Sequence, residues 1–505
     1  MKPEKSAITI VWFKRDLRLF DNAPLNAAVS RGNAVLPLFI IEPDLWSLPT
    51  SSQRHWQFAR DCLYDLQEAC NEWGQPLIIR IGAAIDIFEG LRSQMKIDSI
   101  LCHQETGLDW TYRRDRNIAA WCRQNQIHFI ETPTNGVVRG LRNRDDWAGI
   151  RNQRLAETQL PIPNLPAKRI DIISEGIPDN ENPLFGPVVS GKIQRGGRRH
   201  VSDILVDFAT KRSPKYISFL SSPIFAETAS SRLSAHLAWG TVSTREVVQT
   251  IRTFSDSVPQ SARRGCRAML TRLGWRCHFI QKLEDQPNIE FKTMHPYFDD
   301  IRTTYHNEFY LEAWMEGRTG YPLIDACMRC LQKTGWIPFR MRAMLVSFAS
   351  YQLWLDWRQT APHLARLFTD FEPGIHYSQF QMQSGVTGIN TIRIYNPVKQ
   401  SHDHDKQGNF IRKWIEELQN VPEQWIHEPH LLTNELKARY GCLAYPEPLI
   451  DNKTSISRAR ARLAEALNQD NFAHHAKRVY QKLGSRNPPR ARKKPPPKTK
   501  QLSLF

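Results

Sequence analysis

The sequence predicts a doubly wound α/β domain with a parallel sheet, followed by an all-α domain. Two observations carry this expectation. Short, β-rich apolar runs alternate with helix-period segments up to about residue 135, as in doubly wound folds. From about residue 200 to 480 the pattern is helical throughout and rich in Trp, Phe, Tyr and Arg.

In chain order, strands are expected at 7–13, 34–40, 76–81, 99–102 and 127–131. Between the second and third, Trp56, Ala59, Leu63, Leu66, Cys70 and Trp73 recur at helical spacing, so residues 53–73 form a helix with one buried stripe. No G-x-G-x-x-G follows the first strand, which gives no support to a dinucleotide site there. Residues 136–200 turn to Pro, Gly, Asn and Arg and read as a surface connector. The division expected is therefore 1–135, 136–200, 201–485 and a basic tail over 486–505, whose Pro/Lys/Arg composition cannot bury a core.

The 505 residues suffice for two or three ordinary domains, and 41% hydrophobic content describes a globular chain. No run of about 18 apolar residues exists, so no membrane span is expected. Met1 to Ser6 are charged and lead straight into a strand, so no secretory signal is expected and the cytoplasm is the expected compartment. The nine cysteines are scattered. Cys327 and Cys330 come closest to metal spacing but lack a partner pair, so buried thiols and no metal are expected. His402-Asp-His-Asp405 is read as a polar turn with a capping role before a helix over 410–418. A formal net charge of +17 makes nucleic acid the first partner to consider, through phosphate contacts and counterion release.

Three segments carry a resemblance: VWFKRDLRLFDN at 11–22, EGRTGYPLIDA at 316–326 continued by TGWIPFRMR at 334–342, and SSRLS at 230–234. Their order and spacing resemble the DNA photolyase/cryptochrome superfamily over roughly residues 7–480. The residues alone leave 230–234 open between a Ser-rich helix cap and a pyrophosphate cradle of hydroxyls and backbone N–H groups. The resemblance favours the cradle and implies FAD contacts at Tyr216, Ser230, Ser231, Arg232, Leu233 and Ser234. It also implies an Arg342–Asp370 pair flanking the flavin, with Phe371 and Glu372 beside it. His376 falls where photolyases usually carry the Asn that faces flavin N5.

For DNA, the resemblance implies Trp275 and Arg276 at the lesion pocket, together with Arg272, Phe339, Arg340 and Lys399. Three of these positions depart from cyclobutane-dimer enzymes: Arg272 replaces the repair-assisting Glu, Phe339 replaces an Asn, and Met382 replaces a stacking Trp. The electron relay is altered too. Trp357 matches its middle member, the flavin-proximal position is Phe380, the distal one falls near Thr304 and Tyr305, and Trp354 and Tyr377 are candidate substitutes. A second, antenna chromophore is expected in the α/β domain without a residue that identifies it. The expected activity is blue-light-driven repair of pyrimidine photoproducts, the alternative a cryptochrome-like photoreceptor. Finally, Gln501, Leu502, Ser503, Leu504 and Phe505 resemble the pentapeptide that docks on the bacterial β sliding clamp, with apolar anchors for a preformed groove. That implies a bacterial cytosol and association with the nucleoid on DNA.

Overall fold

A computed structural model describes residues 7–164, 169–191 and 193–486. The tail and its pentapeptide lie outside the described residues. Five strands, β1 (Ala7–Phe13), β2 (Ala34–Ile41), β3 (Ile78–Ile81), β4 (Lys96–His103) and β5 (His128–Thr132), form one sheet in the order β3-β2-β1-β4-β5, every pairing parallel. Crossover helices cover both faces, so the central strands are apolar on both sides. Ile8, Ile10 and Trp12 of β1 enter one core, and Val11 and Phe13 the other. The expected helix spans Gln53–Trp73 and ends at Gly74, whose φ of 101° closes it in the left-handed region.

The connector is more structured than its composition suggests. A helix, Trp147–Ala156, buries Trp147 and Leu155, and the Trp147 indole N–H donates to the Gly136 carbonyl. Further on, Phe185 stacks flat on Trp56 at 3.9 Å between ring centroids. These few large anchors pin a segment too polar to show a helical stripe.

The rest of the described chain is helical, around a core that includes Trp314, Tyr321, Leu331, Tyr351 and Trp357. The 316–326 segment owes its pattern to this core. Buried Asp325 accepts from the Thr319 and Gly320 N–H groups at 2.8 and 3.0 Å and from the Tyr445 hydroxyl at 2.6 Å, which ties the turn to the start of the Pro322–Thr334 helix. The His402–Asp405 reading needs one correction: these residues end a helix, Pro397–His404, instead of forming a free turn. Asp405 does cap the next helix, accepting from Phe410 and Ile411 N–H groups. Among the described residues, all nine cysteines are free and buried, no group of three or more His, Cys, Asp or Glu could hold a metal, and no helix is long and apolar enough to cross a membrane.

The two regions meet at the carboxyl end of the sheet. Beyond β1, Arg15 Nη2 donates to the Phe371 carbonyl at 2.6 Å and Arg18 Nη1 to the Gly240 carbonyl at 2.8 Å. The 11–22 segment is thus the joint between the regions.

Candidate flavin site

Residues 230–234 link the short helix Ala226–Ala229 to the helix Ser234–Trp239. The loop turns because Arg232 adopts φ 59°, a conformation uncommon outside glycine and kept where surroundings enforce it. Here Gln194 Nε2 donates to the Arg232 carbonyl at 2.7 Å, and the Arg232 guanidinium lies 4.2 Å from the Trp336 ring centroid. Leu233 is buried and anchors the loop in the core.

Opposite the loop, Arg342 and Asp370 form the expected pair, with two parallel N–H···O bonds of 2.9 Å each. The helix Phe339–Ser347 carries Arg342, while Asp370 lies just before the helix Pro373–Gln383. Burial pushes the Asp370 carboxyl up, but Arg342 outweighs it and Ser234 adds a hydrogen bond, so Asp370 stays ionised below the usual carboxylate range. The Arg232 guanidinium is also close enough to feel both partners, which joins loop and ion pair into one site.

His376 is buried among Phe368, Phe371, Tyr377 and Phe380, its centroid 4.6 Å from that of Phe380. Burial lowers it to about 3, so the imidazole is neutral. Its Nε2 lies 2.9 Å from the Ala361 carbonyl, which can only accept; the proton therefore sits on Nε2 and Nδ1 is bare.

The site leaves polar groups without protein partners. The Ser230 hydroxyl and Arg232 Nη1 are buried and make no hydrogen bond. Buried donors are normally satisfied, so unpaired hydroxyl and guanidinium groups beside a helix start fit a phosphate-bearing ligand.

Other expected residues fall elsewhere. Tyr216 packs on Phe208 and feels Arg272, so a residue assigned to FAD and one assigned to DNA are neighbours. The Phe371 ring stacks on His55 and lines an inter-region cavity, away from the 230–234 loop. Glu372 and Arg276, assigned to cofactor and to DNA, instead pair with each other at 2.7 Å in a second crevice at the sheet's carboxyl end. A buried guanidinium needs such a carboxylate, and this one is held to it before any phosphate arrives. Of the remaining DNA candidates, Arg272 and Phe339 are exposed, Trp275 and Arg340 half-buried, and exposed Lys399 pairs with Asp403 at 2.8 Å. Trp275 stacks obliquely on Phe279. Trp357 meets Tyr377 edge-on at 6.3 Å, and Phe380 is buried. Sequence reasoning passed over Glu290, which burial raises to about 7 and which acts electrostatically on Tyr377.

A parallel-sheet domain joined to a helical one, with a bidentate ion pair facing a serine-arginine loop, fits a protein that binds a phosphate-bearing cofactor. Family models agree: "DNA photolyase" matches residues 9–142 and "FAD binding domain of DNA photolyase" matches 269–465. The chain is 29% identical over 488 residues to a deoxyribodipyrimidine photo-lyase of Streptomyces griseus, covering 92% of this chain and 100% of that protein. The structure of an archaeal photolyase from Sulfolobus tokodaii, described with two FAD molecules, is 27% identical with a TM-score of 0.75, covering 91% of this chain and 100% of that one. A Synechocystis cryptochrome, at 22% identity and TM-score 0.80, shares the fold over 91% of this chain and 100% of its own. The chain belongs to the DNA photolyase/cryptochrome superfamily, and FAD is its cofactor.

Proposed function

We propose that the protein is a light-driven DNA photolyase that repairs pyrimidine photoproducts. The observation that carries this reading is the Arg342–Asp370 pair facing a loop with unpaired buried donors. When bound, FAD supplies light absorption and a one-electron donor for the lesion. Residues Ser230, Ser231, Arg232, Leu233 and Ser234 hold its phosphates, with the Ser230 hydroxyl and Arg232 Nη1 as free donors. Arg342, fixed by Asp370, places a permanent cation where negative charge accumulates. His376, its only proton committed to Ala361, offers a bare nitrogen at the same site. Trp275, Phe339, Arg340 and Arg272 line the mouth that receives a flipped base, and Lys399 meets phosphate. The largely apolar cavity lined by Trp46, His55, Trp239 and Phe371 takes an antenna chromophore. The terminal QLSLF docks on the β sliding clamp, so deleting it should abolish clamp binding and leave lesion repair in free DNA intact.

Irradiating the reduced protein with DNA carrying cyclobutane dimers or (6-4) products, and following lesion loss, tests the central reading. Loss of one class supports it. No loss of either, with FAD bound, moves the assignment to a cryptochrome-like photoreceptor. That second reading is favoured by Arg276 being engaged by Glu372 and by the Arg272, Phe339 and Met382 departures.

A further inference from the structure

The strand order β3-β2-β1-β4-β5 puts β1 beside β4, while the chain leaves β1 towards β2 and β4 towards β5. Loops that diverge in this way open a crevice at the carboxyl ends of the two strands, the usual ligand position in open α/β sheets. Here it is the polar crevice that holds the Arg276–Glu372 pair. The turn after β1 supplies Arg15, Asp16 and Arg18, β4 ends in it at His103, and the Gln260–Asp285 helix closes it with Arg276. It shares Lys14, Arg15 and Glu105 with the apolar cavity, but that cavity reaches over Phe39 and Ile40 of β2 and this crevice does not.

The carboxylates of the crevice are engaged. Asp16 accepts from His103 Nδ1 at 2.6 Å and from the Lys14 N–H at 2.7 Å, Glu105 from Arg114 at 2.7 Å, and Glu372 from Arg276 at 2.7 Å. The guanidiniums are not all engaged. Arg15 Nε, Arg18 Nε and Arg276 Nη1 are buried without a hydrogen bond. Among the described residues, the Arg15 and Arg18 side chains donate only to backbone carbonyls, those of Phe371, Gly240 and Asp21. Arg18 is 3% exposed, and a guanidinium shut in so deeply, with no carboxylate bonded to it, is costly unless something else takes up its N–H groups.

We propose that this crevice binds a phosphate dianion, free or as a small phosphomonoester, held by Arg15, Arg18 and Arg276. Each arginine offers one free nitrogen, and they come from opposite walls. A planar carboxylate favours two parallel bonds from one guanidinium, whereas a tetrahedral oxyanion takes single bonds from several directions. Thr134, Asn135 and Thr244 line the same crevice and give polar contacts to an esterified group. The site has no residue in common with the Ser230–Ser234 loop and does not depend on the flavin reading.

The test is calorimetric titration of FAD-saturated protein with inorganic phosphate and with AMP, in chloride buffer at fixed ionic strength, for wild type, R276K and N135D. With FAD on the Ser230–Ser234 loop, any further phosphate binds elsewhere. One saturable site is expected in wild type. Tighter binding of AMP than of phosphate marks an ester as the ligand, and the reverse order marks the free ion. R276K keeps a cation beside Glu372 but loses the free Nη1. N135D adds a carboxylate to the lining while its Oδ1 still accepts from the Val137 N–H. Each should weaken binding roughly tenfold or more. No saturable binding to wild type, or binding that neither variant weakens, overturns the site. Should R276K fail to fold, N135D decides, and wild-type affinity in it overturns the proposal. A protein that takes up no FAD strikes the flavin reading instead. Phosphate is then titrated against S230A as well, and binding lost in S230A but kept in N135D overturns the crevice.

Discussion

Two buried charge networks sit within this chain, and they are built to different ends. At the carboxyl end of the sheet, Arg114 meets Glu42, Glu105 and Asp115 at 2.7–2.8 Å, and Lys14 lies 2.8 Å from Asp115. Every group there has a partner within the protein. At the candidate flavin site, Arg342 and Asp370 satisfy each other, but Ser230 Oγ and Arg232 Nη1 do not find partners. A closed network holds a joint in register. An open one leaves donors that a bound ligand can take up.

The contrast is broken most severely by Arg114→Met, which would leave three carboxylates facing one another. A loss of about 3–5 kcal/mol is expected, equal with and without FAD, by denaturant unfolding of both forms. Arg342→Met strands only Asp370. Its apoprotein should be destabilised less, while the gain in Tm on adding FAD, present in wild type, should disappear. Equal FAD responses in the two variants would remove the distinction.

A pH titration probes both regions together. Burial lowers His55 and His236 to about 4, His376 to about 3 and His278 to about 2. Each is neutral when folded and takes up a proton more readily when unfolded. Their contribution is therefore complete above about pH 6.5 and is lost as pH falls, by up to roughly 1.4 kcal/mol per pH unit for each imidazole. Acid unfolding should set in well above the carboxylate range; stability that stays flat from pH 6.5 to 4.5 would contradict these burials. The smallest expected effect is Ser230→Ala, which should weaken FAD binding by about 1 kcal/mol with no loss of apoprotein stability, by titration calorimetry.

The strands and the Gln53–Trp73 helix were legible because their signal is local: a continuous apolar run, or a stripe at helical spacing. The Trp147–Ala156 helix was not, because Trp147 and Leu155 alone bury its face amid Arg and Asn. At the site, the Arg342–Asp370 pair could be anticipated only through family resemblance, since 28 residues separate its members. The Arg276–Glu372 pair was missed for the same physical reason. Each residue has a credible separate role, and only the fold, which brings the Gln260–Asp285 helix against the Pro373–Gln383 helix, shows that they neutralise each other. Glu290 carries no sequence signal at all, because its perturbation comes from burial under contacts distant in sequence.

Gly240 accepts the Arg18 hydrogen bond from a backbone with φ 66°, and a β-carbon built there would come within 2.2 Å of the Arg15 carbonyl oxygen. Even the smallest side chain at that spot would wedge the α/β and helical halves apart, so the halves are not interchangeable modules. Grafting the light-absorbing half onto a foreign α/β partner would succeed only if the new partner brought its own arginine-bearing turn to a bare backbone at this seam.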